Sequence, residues 1–488
     1  MKRIAIIGGG IAGLSAAYEL ELHRQQGAEV EYVVYEASSR LGGVLQTEHV
    51  EDCLIEAGPD SFLTEKPWAS DLCQELGIGN EIIGSNDAAR KTYILLHNRL
   101  IPMPDGLMFL VPTQILPTVM SPLFSRATKF RMAREWFYPK HDLSNPTHGE
   151  DETVAALVER HYGKEMVERL ADPLLSGVYG GEASELSVRA VLPRFADMEA
   201  KYGSLGRAML AQKKAASKKT PTPPRPIFSS LRGGMSRLVE VLVSRLNPER
   251  LRTNIPITEI QRREYGWLVN TAAGGSSFDA VVLATPTPAA AQLIRHSAPA
   301  LAQELAEIRY SSSVTVGLVY EGDIELPPGF GFLVPKTENK RLLACTFVHN
   351  KFPHRTPENR CLLRCFLGGS RDEAALSLSN DAIIALVRRE LEEILDLNAT
   401  PLAARVYKWP SSMAQYSVGH LDRLERIRQL LQETPRLTLA GNGYRGIGVP
   451  DCVRTGRESA TQMLGYLGFL GGPVETSAAR PALPSDPR

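Results

Sequence analysis

Residues 3–7 (Arg-Ile-Ala-Ile-Ile) run directly into Gly8, Gly9, Gly10, Ile11, Ala12 and Gly13, and this junction constrains the fold more than any other segment. A short apolar, β-branched run reads as a buried strand. After it, Ile11, Leu14, Tyr18 and Leu22 keep helical spacing, and residues 30–35 read as a second strand. Strand–helix–strand with both strands apolar throughout implies a parallel sheet covered on both faces, hence an α/β fold. In G-x-G-x-x-G the first glycine permits the tight turn, the second admits a pyrophosphate, and the third lets helix and strand pack. The helix N-terminus then offers free N–H groups and partial positive charge to phosphates. Glu36 ends the second strand, where a carboxylate accepts hydrogen bonds from ribose hydroxyls and repels a 2′-phosphate. Together these residues predict dinucleotide binding.

Two further glycine-rich segments extend the pattern. Arg40, Gly42 and Gly43, flanked by Ala37 and Val44, supply close backbone approach and a charge for phosphate. An extended FAD benefits from such an element more than a nicotinamide dinucleotide does. Late in the chain, Gly441, Gly443, Gly446 and Gly448 precede Val449, Pro450 and Asp451, which open a helix with an apolar stripe of Val453, Ala460, Met463, Leu464 and Leu467. A helix N-terminus aimed at a flavin ring stabilises the negative charge that gathers on reduction.

The rest of the chain reads more coarsely. Buried strands are expected at 279–285 and 436–440, and further strands at 255–260, 312–320 and 342–349. Residues 151–216 are mostly helical, opening with Val154, Leu157, Val158 and His161. Residues 381–397 form a helix burying Ile384, Val387, Leu391, Ile394 and Leu395. Residues 212–226 read as an exposed basic loop. A chain of 488 residues suggests about three folded units. Its 55 Lys plus Arg balance 55 Asp plus Glu, which excludes a uniformly basic nucleic-acid binder. The six cysteines are too scattered for a disulfide framework and fit a reducing cytoplasm. No ligand-like His/Cys grouping predicts a metal site. No apolar run is long enough to span a bilayer, and five prolines break the most apolar stretch, residues 101–125. The cations Arg126, Lys129, Arg131 and Arg134 follow it, a pattern that suits either interfacial membrane contact or a helical cover for a cavity.

The GGGIAGLSAAYEL opening, Glu36 with RLGG, and GYRGIGVPDCVRTG resemble the flavin amine-oxidase-like superfamily, and within it the oxygen-dependent porphyrinogen oxidases. The family-specific pieces are GPDSF at 58–62, DPLLSGVYGG at 172–181, YGSL at 202–205, LRGGM at 231–235, GFGFLV at 329–334, and Trp409 with Gly419-His420. The resemblance implies a Rossmann-like FAD-binding domain of the GR2 type (1–85, 228–300 and 405–470). It also implies an interleaved α+β substrate domain (86–100 and 301–404) and a helical lobe (101–227); residues 471–488, outside the resemblance, have four Pro and little to bury and read as a disordered tail. It places Gly8 to Gly13, Glu36, Arg40, Gly43, Gly58, Pro59, Asp60 and Ser61 around FAD, with Ile257 beside the adenine. Trp409, Val449, Pro450 and Asp451 match positions near the flavin ring. Gly177, Leu333 and Phe347 match the tetrapyrrole cavity, the last two sandwiching the substrate. Where plant-type members carry a propionate-binding arginine, this chain has Thr92, so Arg90 or Lys91 is the candidate anchor.

The implied reaction takes six electrons from protoporphyrinogen IX or coproporphyrinogen III in three two-electron hydride transfers to FAD, with oxygen forming hydrogen peroxide. No protein acid or base is named. The alternatives are an amine oxidase or carotenoid-type desaturase, and a non-catalytic flavin or tetrapyrrole binder. The partners implied are a tetrapyrrole and oxygen, with no nucleic acid. A peripheral contact at the inner membrane face, handover to a ferrochelatase and a homo-oligomer are compatible with the resemblance.

Overall fold

The computed structural model describes residues 1–108, 110–139, 151–216, 225–322 and 324–470. The expected disordered tail and most of the basic loop at 212–226 lie outside the described residues.

The strands Lys2–Ile7 and Val30–Tyr35 pair in parallel, with Ile4 opposite Tyr32 and Ile6 opposite Val34. They form the centre of a five-stranded parallel sheet in the order Leu251–Arg252, Val30–Tyr35, Lys2–Ile7, Ala280–Leu283, Leu437–Leu439. Alternation along one strand sends side chains to both faces. Ile4 and Ile6 pack against the first helix, Ile11–Gln25, and the closing helix, Val449–Tyr466. Ala5 and Ile7 face a second core that includes Trp267 of the three-stranded meander and Leu301 of helix Pro299–Ala306. Gly456 makes the first arrangement possible, because a Cβ there would lie 2.1 Å from the Ala12 carbonyl oxygen of the first helix.

A seven-stranded sheet runs in the order Ala403–Ala414, Tyr310–Glu321, Arg360–Gly368, Ala344–Phe347, Gly331–Leu333, Thr92–Leu96, Arg99–Pro102. Helix Asn380–Leu395 covers one face, burying Ile383, Val387, Leu391 and Ile394. The expected Ile384 and Leu395 are only half-buried. Ser379 caps the helix by accepting from the Ala382 N–H, and Ile383, one turn before Val387, shares the inward stripe that its neighbour leaves. The strand expected at 342–349 is confined to Ala344–Phe347, after which Val348–Lys351 turns into a short helix.

Helices Arg126–Glu135, Val154–Tyr162, Asp172–Tyr179, Pro193–Tyr202 and Leu205–Ala216 gather around a third core of Met132, Leu157, Leu170, Phe195 and Leu205. A charged knot sits within it. His161, fully buried, contacts Glu135 through Nδ1 at 3.1 Å and Glu199 through Nε2 at 2.9 Å. Glu135 also accepts from Ser204 Oγ at 2.9 Å and from the backbone N–H groups of Leu205 and Gly206, and Arg160 pairs with Glu199 at 2.8 Å. All six cysteines are free and buried.

Candidate functional site

The glycine loop has the geometry its sequence demands. Gly8 has φ +107°, and a Cβ there would lie 2.6 Å from Ala284 O; one at Gly13 would lie 1.9 Å from Gly8 O. Gly10 caps the first helix without any side-chain bond, and a Cβ there would meet only Gly43 Cα, at 4.0 Å. Helix Ile11–Gln25 therefore leaves its first-turn amides, Ile11 and Ala12 among them, without a side-chain cap, next to the Gly42–Gly43 turn. Glu36 accepts from Gly9 N at 2.8 Å through one oxygen, and from Ser38 N and Oγ, each at 2.8 Å, through the other. Exposed Ala37 follows it. Ile255 N donates to Glu36 O at 3.0 Å, which brings half-buried Ile257 to the same corner.

The second glycine pair docks on the first, with Gly42 N donating to Gly9 O at 2.8 Å. Arg40 braces this turn through the carbonyls of Leu41, Gly43 and Leu45. Its guanidinium is thus directed to loop carbonyls, not to the open helix end. Gly58 is required where it stands, since a Cβ would lie 2.0 Å from Val44 O.

At the other end of the sheet, the closing helix begins after Gly448, and Asp451 accepts from Gly448 N at 3.3 Å and from Lys66 Nζ at 2.6 Å. Val449, Pro450 and Asp451 are buried. Tyr416 Oη ties the glycine segment together, donating to Asn442 O at 2.7 Å and accepting from Gly446 N at 2.9 Å. Gly441, at φ +121°, faces open space. Trp409 reaches across from the seven-stranded sheet and donates from Nε1 to Ala57 O at 2.8 Å. Burial, reinforced by the Asp451 charge, pushes the Tyr179 hydroxyl up to about 12. Burial also moves the Cys452 thiol to about 12 and His420 down to about 4. These three side chains keep their protonation state through neutral pH.

Gly177 lies exposed on helix Asp172–Tyr179, and its Cβ position is 3.7 Å from Leu333 Cδ2. The expected sandwich of Leu333 with Phe347 is not formed. Phe347 is 0% exposed and packs edge-on with Phe332 in the core under helix Asn380–Leu395. The register explains why: Phe332 pairs with Cys345, so Phe347, two residues on, shares their face, whereas Leu333 pairs with Ala344 on the other. Across five strands the row Leu333, Ala344, Phe366, Thr315, Tyr407 runs along that other face. Phe366 was missed by sequence reading, because strand alternation identifies a face only once the register is known. Arg90 is exposed in the bend before Thr92–Leu96, while Lys91 lies over the Tyr93 ring, 5.4 Å from its centre. Among the described residues no group of His, Cys, Asp or Glu is arranged to hold a metal.

A parallel sheet with two glycine-introduced helix N-termini, joined to a mixed seven-stranded sheet, has the architecture of a dinucleotide-cofactor oxidoreductase. The chain belongs to the flavin containing amine oxidoreductases, whose family model matches residues 11–464. It is similar to the coproporphyrinogen III oxidase of Bacillus subtilis (strain 168), with 32% identity over 472 residues, 96% of this chain and 98% of that protein. The coproporphyrinogen III oxidase of Staphylococcus aureus (strain NCTC 8325 / PS 47) is 30% identical over 478 residues, 96% of this chain and all of that one. Among solved structures, an Exiguobacterium sp. 255-15 protein provisionally named a protoporphyrinogen oxidase superposes with a TM-score of 0.83 at 30% identity, covering 94% of this chain and 98% of its own. Cyclohexylamine oxidase from Brevibacterium oxydans IH-35A, at 18% identity and a TM-score of 0.68 over 96% of this chain and 99% of its own, shares the fold.

Proposed function

We propose that this chain is an FAD-dependent oxidase of porphyrinogens, with coproporphyrinogen III as the preferred substrate and oxygen as the final acceptor. The observation that carries the reading is the sheet face shared by Leu333 and Phe366, on which Leu333 Cδ2 lies 3.7 Å from the Cβ position of Gly177, in the sheet that Trp409 links to Ala57 beside the dinucleotide unit. A flat macrocycle needs such a backbone-lined opening above an apolar floor. The preference for coproporphyrinogen III rests on the names of the Bacillus subtilis and Staphylococcus aureus relatives.

The residues fit FAD. The glycine cradle leaves room that a Cβ would fill, the open amides suit a pyrophosphate, and Glu36 suits a ribose. When bound, FAD accepts the two electrons of each dehydrogenation and returns them to oxygen as hydrogen peroxide. Gly58 to Ser61 and Val449 to Asp451 would hold its ring end, while Leu333 and Gly177 orient the substrate and exclude water. Apolar side chains at the lobe surface, Leu116 (72% exposed), Met120 (75%), Phe130 (71%) and Phe137 (84%), accompany the cations Arg126 and Arg134. That composition supports a peripheral contact with an anionic membrane. Among the described residues no helix is long and apolar enough to cross one.

Comparison of kcat/KM on coproporphyrinogen III and protoporphyrinogen IX, with the extracted flavin identified by chromatography, tests the reading. The expected result is FAD and a ratio above ten in favour of coproporphyrinogen III; FMN, or a ratio below one, would overturn it.

A further inference from the structure

Five charged side chains meet beneath residues 58–61, from segments far apart in the chain. Glu56 ends strand Cys53–Glu56 and pairs with Arg355 at 2.9 Å, both side chains 1% exposed. Asp60 faces Lys351 Nζ at 2.8 Å and Arg364 at 3.7 Å. Arg364 also donates to Gly58 O, while Arg355 donates to Asp60 O at 3.2 Å and to Ser230 Oγ at 2.6 Å. Burial alone would lift the Asp60 carboxyl, but Lys351 and Arg364 hold it well below the usual carboxylate range. The cluster therefore contains two carboxylates and three cations, a formal surplus of one positive charge. Arg355 Nε and Arg364 Nε are buried without a hydrogen-bond partner.

A structural lock between two sheets needs matched pairs only, and a buried cation beyond them is costly. Such a charge is retained where an anion offsets it. On the reading above, residues 58–61 and Trp409 border the flavin ring, which gains negative charge on two-electron reduction. We propose that Lys351, Arg355 and Arg364, acting through residues 58–61, are positioning residues whose surplus positive charge favours the reduced flavin. None of the three needs to touch the ring. The effect is one of field: in a water-poor interior a unit charge acts over longer distance than at the surface.

This inference rests on the FAD reading, and its test separates the two. The midpoint potential of the bound flavin is measured by anaerobic spectroscopic titration of purified holoenzyme. Lys351→Met brings the formal surplus to zero and is expected to shift the reduction equilibrium about tenfold toward oxidised flavin, roughly 30 mV for a two-electron couple. Lys351→Gln is titrated in parallel, and the same sign is required of it. Asp60→Asn, with Glu56→Gln as its second, raises the surplus and is expected to shift the equilibrium the opposite way. The double variant Glu56→Gln/Arg355→Met removes one charge of each sign and is expected to stay within twofold of wild type. A purely structural role would move all of these in one direction or none, and either result would overturn the proposal. A wild-type protein that retains no FAD would instead refute the cofactor reading.

Discussion

Gly177 offers the sharpest test of the cavity, because two substitutions there separate folding from catalysis. An alanine Cβ would lie 3.7 Å from Leu333 Cδ2, ordinary van der Waals contact, so nothing need move. The residue sits within helix Asp172–Tyr179 and is exposed, so Gly177→Ala gains about 1 kcal/mol of helix stability. The same methyl narrows the opening above Leu333. One misplaced methylene in a pocket costs about 1–3 kcal/mol of transition-state binding, so kcat/KM falls by about tenfold or more. Gly177→Trp fills the opening and abolishes turnover. Melting temperature, flavin absorbance per protein and kcat/KM are read on the same samples. The expected pattern is an unchanged or raised melting temperature, full flavin content in both, and a graded loss of activity from Ala to Trp. A tryptophan variant within twofold of wild-type kcat/KM, with flavin bound, refutes the placement of substrate between Gly177 and Leu333.

Other positions give further checks. Gly58→Ala drives a Cβ to 2.0 Å from Val44 O, so the loop must shift; flavin content on purification should fall, with a stability loss of about 1–3 kcal/mol in chemical unfolding. Glu36→Ala removes a charged acceptor from Gly9 and from the expected ribose, and FAD affinity measured by fluorescence should drop about ten- to a hundredfold. In the helical lobe, burial would lower the His161 pKa, but bonds from Glu135 and Glu199 raise it above its ordinary value. That stabilisation is complete below the unfolded histidine value of about 6.5 and is lost as pH rises through the folded one. Burial would raise Glu199, but His161 and Arg160 hold it near 2, so its contribution is present above the usual glutamate range and is lost as pH falls toward 2. The melting-temperature advantage of wild type over His161→Gln should therefore shrink as pH is raised from 6 to 9; a constant advantage would show that the imidazolium is not what holds the lobe.

The dinucleotide half of the molecule was legible because its signals are local. Strand Val30–Tyr35 falls where the β-branched run lies, and the glycine spacing of residues 8–13 carries its own steric logic. Helix Asn380–Leu395 was legible in extent and in its buried Val387, Leu391 and Ile394, but with Ile383 and Ile384 adjacent the pattern alone did not show which of the two turns inward. The substrate face was less legible. Phe347 and Phe366 both stand on strands of the same sheet, and only the pairing of Phe332 with Cys345 and of Ala344 with Phe366 shows which face each takes. The charge cluster was legible only in Asp60 of the 58–62 motif, because its cations come from far along the chain: Gly58 and Arg364 meet across a separation of 306 residues.

The most direct test of the account is a single anaerobic mixing of oxidised holoenzyme with coproporphyrinogen III, followed by flavin absorbance and porphyrin fluorescence. The flavin is expected to bleach, and porphyrin fluorescence to appear when oxygen is then admitted. Flavin that stays oxidised with the porphyrinogen, yet bleaches with an amine, would contradict it.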